Sequence, residues 1–150
     1  EHTLVATGLY ATPVSTNTDT QGNDDEFGTF SIKFDVTAFE DDYYVYKLAT
    51  STGATGVKYT FDDGSVATTT ATLSSTADQS GDVFIVREGE TETFTVSVTA
   101  EVTSAQYVSA ELTELYYTLN SDGTSSLETY EFSPVEDYRT DTEFVGVAAS

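Results

Sequence analysis

Residues 87–103 read REGETETFTVSVTAEVT. From Phe94 onward the apolar side chains fall on every second position, Phe94, Val96, Val98, Ala100 and Val102, with Thr95, Ser97, Thr99 and Glu101 between them. A period of two belongs to an extended chain whose successive side chains point to opposite faces, so the stretch predicts a long strand with one buried and one solvated face. Glu88, Gly89 and Glu90 form a short polar break before it, preceded by DVFIVR (82–87), another apolar run of strand length. Two such runs around so short a break predict a hairpin.

The same alternation recurs on either side. GTFSIKFDVTAFE (28–40) places Phe30, Ile32, Phe34, Val36 and Ala38 on one face. YYVYKLAT (43–50), VKYTF (57–61) and SLETYEF (126–132) are of strand length, and the Thr-rich ATTTATLSS (67–75) reads as an edge strand because it carries few large side chains. In QYVSAELTELYYTL (106–119), Val108, Ala110 and Leu112 share one parity while Leu115, Tyr117 and Leu119 share the other, so a bulge near Thr113 is expected to return them to one face. Asp41-Asp42, STGATG (51–56), DDGS (62–65), ADQSGD (77–82) and NSDGTSS (120–126) supply turns and loops. SPVEDYRTDTEFVGVAAS (133–150) reads as a tail ending in small apolar residues. No run of ten or more residues has period 3.6 with caps, so almost no helix is expected. Eight or nine short strands predict an all-β fold, an antiparallel immunoglobulin-like β-sandwich, with a jelly roll or barrel as the alternative.

The N-terminal part differs in character. EHTLVATGLYATPV (1–14) is extended and carries no charged side chain between His2 and Val14, and a run of twelve polar residues follows. The expected organisation is an N-terminal segment at 1–14, a polar linker at 15–27 and a sandwich domain at 28–150. The segment has two readings. It is the first strand of its own sheet, or a donor strand that completes a neighbouring copy, in which case Leu4, Val5, Ala6, Leu9 and Tyr10 are the interface residues.

Composition narrows the function. The 150 residues carry 26 Asp and Glu against five Lys and Arg, a formal net charge of −21. Such a surface repels phosphate backbones and anionic lipid, which argues against nucleic acid and membrane partners. No apolar run approaches the ~20 residues that a membrane helix needs. The chain begins at Glu1, read as a processed, secreted form whose signal peptide has been removed. Cys is absent, so sheet packing must carry the stability.

Nucleophilic catalysis of the Ser-His-Asp or Cys-His kind needs an imidazole near a nucleophile, and His2 is the single His. Carboxylate pairs abound, but the loops between strands are too short to build a cleft around them. The expectation is therefore no enzyme and no catalytic residues. Calcium is the one cofactor that acidic turns would hold, with Asp78 and Asp82 as its candidate ligands. Clustered Tyr43, Tyr44 and Tyr46 are the candidate glycan contacts, against the plainer reading of cross-strand packing.

Three phrases in order, GTFSIKFDVTAFEDDYYV (28–45), STADQSGDVFIVREGETETFTVSV (75–98) and EDYRTD (136–141), resemble the immunoglobulin-like domains near the C-terminal ends of bacterial surface and exported proteins, notably those of candidate-phyla bacteria. The resemblance spans residues 26–142 and implies a secreted, surface-displayed domain without catalytic residues. The leading expectation is a structural subunit of an extracellular filament, pilus-like fibre or array, made of copies of itself joined head to tail. The alternative is a surface adhesin or carbohydrate-binding module.

Overall fold

A computed structural model describes residues 8–21, 27–39, 41–51, 55–61, 66–102, 105–132 and 135–146. In chain order its strands are β1 (Gly8–Gln21), β2 (Phe27–Phe39), β3 (Tyr43–Tyr46), β4 (Ala49–Thr50), β5 (Val57–Phe61), β6 (Val66–Ser75), β7 (Asp78–Ser80), β8 (Val83–Val86), β9 (Thr91–Val102), β10 (Gln106–Val108), β11 (Ala110–Tyr117), β12 (Glu128–Glu131) and β13 (Glu143–Val145). A 3-10 turn occupies Val135–Tyr138.

One layer is the four-stranded sheet β1-β2-β9-β6. The facing layer combines β12-β11-β5-β4 with β3-β8-β7. A bridge between Tyr44 and Thr118 joins these two, with reciprocal backbone hydrogen bonds of 2.9 and 3.1 Å. The described ladders are antiparallel except for the short β4–β5 pairing. The protein is thus an all-β fold of mostly antiparallel sheets packed face to face.

The alternation of β2 and β9 places the core. Ile32, Phe34, Val36 and Ala38 on β2 join Phe94, Val96 and Val98 on β9, and Val45, Val57, Tyr59, Leu112 and Leu115 meet them from the facing layer. Phe34 pairs directly with Phe94 in the ladder, and their rings stack at 5.7 Å. A second cluster of Phe30, Ala100, Val102, Val108, Ala110 and Val145 includes residues of the β10–β13 ribbon. The expected bulge is present. The β11 register against β5 shifts between Leu112 and Glu114, so Leu112 and Leu115 are both buried despite their opposite parity.

Three expectations need correction. The hairpin around residues 88–90 does not form. Its turn closes, with Glu90 N–H donating to the Arg87 carbonyl at 2.9 Å, but β8 pairs with β3 and β7 whereas β9 pairs with β2 and β6. The break is therefore a corner between layers. All four residues of β8 are buried, and an unbroken apolar run suits a strand covered on both sides. The linker boundary also moves, because β1 continues through residues 15–21 and pairs with β2 as far as Gln21↔Phe27. Its backbone is held by β2, so the strand persists where its own side chains are polar. The tail, finally, is not peripheral: Tyr138, in the 3-10 turn, is 1% exposed and packs on Phe132 at 4.7 Å.

Candidate functional site

The outer face of the four-stranded sheet is hydroxyl-rich and bonded to itself. Ser31 and Ser97 share a hydrogen bond of 2.9 Å, Thr37 and Thr91 one of 2.8 Å, and Thr93 donates to Asp35 at 2.7 Å. These are directly opposed cross-strand pairs, the unit that stabilises a sheet face. The face is a solvated surface, and the chemistry on offer lies at the sheet's edges.

Ladder geometry shows which backbone groups reach those edges, since residues of an antiparallel strand alternate between bonding one neighbour and bonding the other. Ala38 N–H donates to the Glu90 carbonyl at 3.3 Å, so the even-numbered residues of β2 face β9 and the odd-numbered ones face β1. Tyr10 and Thr12, and beyond the irregularity Ser15, Asn17 and Asp19, accordingly bond to β2. Leu9, Ala11, Pro13, Thr16, Thr18 and Thr20 face outward.

That outward edge of β1 is guarded along its length. The Tyr130 hydroxyl donates to the Ala11 carbonyl at 3.2 Å, and the Leu9 main chain hydrogen-bonds the Tyr117 hydroxyl. Pro13 has no N–H to offer, and Val14 is squeezed out where the register shifts between Pro13 and Ser15. Asp19 caps the Thr20 N–H at 2.8 Å, and the Thr18 hydroxyl donates to Glu143 at 3.1 Å. Proline, a bulge and a carboxylate are the devices by which proteins keep edges from pairing with other chains. Burial pushes the Tyr117, Tyr130 and Tyr138 phenols above their ordinary pKa, so the tyrosines stay protonated.

The opposite edge, β6, has no second strand paired with it among the described residues, although β4 lies close to it. Thr76 N–H donates to the Thr93 carbonyl at 3.0 Å, which sets the alternation: Thr70, Thr72 and Ser74 face β9, while Ala71, Leu73 and Ser75 turn N–H and C=O outward. Among the described residues no backbone partner meets those outward groups. Residues 70–75, TATLSS, contain no charge and no proline, in a chain where 31 residues are charged (26 acidic plus five basic). Ala71 and Leu73 are half-buried against the core, whereas Thr70 and Thr72 are exposed.

The sequence-predicted residues are scattered over this frame. Leu4, Val5 and Ala6 lie outside the described residues. Leu9 is buried in the chain's own core, and Tyr10 is exposed with its ring edge-on to Tyr130 at 6.3 Å. The described part of the N-terminal segment is therefore the first strand of its own sheet. Tyr43 is buried against Tyr117 at 5.1 Å, while Tyr44 and Tyr46 are half-buried on the opposite parity. The three do not form one exposed aromatic face. Asp78 accepts a 3.0 Å hydrogen bond from Arg87 Nε, and the described residues hold no cluster of three acidic or His side chains. Asp82 contributes its carbonyl to Lys47 N–H at 2.8 Å. Calcium takes six to eight oxygens, and this pair does not fit it.

The Thr-rich pattern of ATTTATLSS places it at an edge but does not show whether another element covers that edge. The signal was the absence of charge. Comparison with protein-family models, with curated proteins and with solved structures finds no match for this chain.

Proposed function

We propose that the chain is a non-enzymatic structural subunit of an extracellular surface filament or array, joined head to tail by strand addition. The observation that supports this reading is the inequality of the two edges of the large sheet. One is guarded by proline, a bulge and hydrogen-bonded side chains, and the other presents an uncharged row of backbone donors and acceptors. A strand from a neighbour finds its affinity in that row. Contacts between unlike surfaces propagate as open fibres when the rotation does not close. Among the described residues no helix is long and apolar enough to cross a membrane. Light scattering and negative-stain images over rising concentration test the proposal: open fibres or growing oligomers are expected, and a monodisperse monomer throughout overturns it.

One observation favours the second reading, a carbohydrate-binding or adhesive module. Tyr107 (66% exposed) and Phe144 (45% exposed) stand together on the β10–β13 ribbon with ring centroids 5.2 Å apart. Exposed aromatic rings are surfaces on which sugars stack. Binding of soluble oligosaccharides that Tyr107→Ala abolishes supports this reading; absence of binding across a glycan panel removes it.

A further inference from the structure

We infer that the open edge of β6 receives residues 1–7 of a neighbouring copy, laid beside residues 70–75. The inference rests on the filament reading and names its joint.

Length and pattern agree. At about 3.3 Å per residue, the six-residue edge is about 20 Å long and a seven-residue strand about 23 Å. After Glu1 the segment is HTLVAT, without acidic or basic side chains other than His2. It thus approaches β6 without the repulsion that most of this surface, at a net charge of −21, imposes on a second copy. Leu4 and Ala6 share one parity. On a strand paired with β6 they fall beside Ala71 and Leu73, which already pack against the core, and extend that apolar row. Val5 and Thr7 then continue the outer face of Thr70 and Thr72.

Residues 1–7 cannot serve the edge of their own copy. β1 and β6 are at opposite margins of the four-stranded sheet, about 14 Å apart at the usual strand spacing. Ser75 lies level with Pro13 through the pairs Ser75↔Phe94, Phe94↔Phe34 and Phe34↔Pro13. Pro13 is five residues along from Gly8, a further distance of about 16 Å. The diagonal of about 21 Å consumes nearly the whole seven-residue reach before any pairing begins. Residues 1–7 laid on a given β6 therefore come from another molecule. Other edges suit them less: β12 carries exposed Glu128 and Glu131, β7 is three residues long and includes Asp78, and β4 is two residues long.

The natural absence of Cys makes the joint directly testable in the full chain. Val5→Cys is placed in one preparation and Thr72→Cys in another. Each is near the middle of its stretch, so either strand direction brings the two together. Mild oxidation of the mixture is expected to yield the mixed disulfide, in at least tenfold excess over either self-linked pair. Adding Ala71→Pro or Thr70→Lys to the acceptor copy is expected to abolish the mixed product while circular dichroism stays that of the folded sheet. A dominant self-link of Thr72→Cys, meaning that β6 pairs with β6, overturns the inference. So does a mixed product that survives both acceptor substitutions. Fibres without the cross-link leave the filament reading standing and this joint refuted; the cross-link without fibres does the reverse.

Discussion

Proline placed at two adjacent positions of β6 should have opposite consequences. Thr72 pairs with Ser97, and its N–H faces β9. Thr72→Pro removes that ladder bond, about 0.5–1.5 kcal/mol, and leaves the Ser97 carbonyl without its donor, about 1–3 kcal/mol more. The expected loss is about 2–4 kcal/mol. The Ala71 N–H points away from the sheet, so Ala71→Pro removes no ladder bond. The restricted unfolded chain contributes about 0.4–1 kcal/mol in its favour, offsetting ring strain, and the net change stays within about 1 kcal/mol. Urea unfolding of the monomer measures both. In a domain of this size each kcal/mol moves Tm by about 2–4 °C, which separates the two variants in a thermal melt as well. Equal losses, or a larger loss for Ala71→Pro, would mean that the Ala71 N–H is already bonded and that the edge is closed, and would refute the reasoning.

Other outcomes follow from the packing. Phe34 is fully buried between Phe94 and Phe132, so Phe34→Ala should cost about 3–5 kcal/mol in chemical denaturation; a loss under 1 kcal/mol would place it outside the core. Gly81 and Gly123 both have positive φ, 59° and 73°, but a Cβ at Gly81 meets open space whereas one at Gly123 overlaps Val83. Gly81→Ala should therefore cost about 1–2 kcal/mol of backbone strain, and Gly123→Ala about 1–3 kcal/mol beyond that; melting temperatures in the reverse order contradict the turn geometry. The Tyr116 phenol is raised to about 12 by its hydrogen bond to Glu114 and then by burial, and burial raises Tyr117, Tyr130 and Tyr138. A raised folded pKa means that the native state keeps protons that the unfolded chain releases. Stability should be full below pH ~10 and fall as pH climbs beyond it toward ~12. Phenolate absorbance should then rise together with unfolding, and full ionisation in a still-folded protein near pH ~10 would contradict the burial of these rings.

Much of the architecture was legible because two strands carry it. β2 and β9 alternate without interruption, and the parity change across Thr113 announced the bulge in β11. The corner at residues 88–90 was misread because a short polar break looks the same whether the chain reverses within a sheet or crosses to the other layer. Only the unalternating DVFIVR hinted at the second. β1 was cut short at Val14 for a related reason. Past the irregularity its inward positions are Thr rather than Leu or Ala, and the strand is maintained by backbone pairing that leaves no hydrophobic pattern. Tyr138 was hidden because one aromatic in a short 3-10 turn has no period at all. The edges were the least legible feature. Whether Ala71 N–H is covered depends on what neighbours β6 in space, and the hydroxyls guarding β1 come from Tyr117 and Tyr130, more than a hundred residues away in sequence.

Amide hydrogen exchange at Ala71 and Leu73, read residue by residue in dilute monomer and in concentrated, assembled protein, tests strand addition most directly. Fast exchange in the monomer and strong protection on assembly are the results expected, with Thr70 and Thr72 protected in both states by β9. Protection of Ala71 and Leu73 in the monomer, or unchanged fast exchange in the assembled state, would contradict an open edge filled by a neighbouring chain.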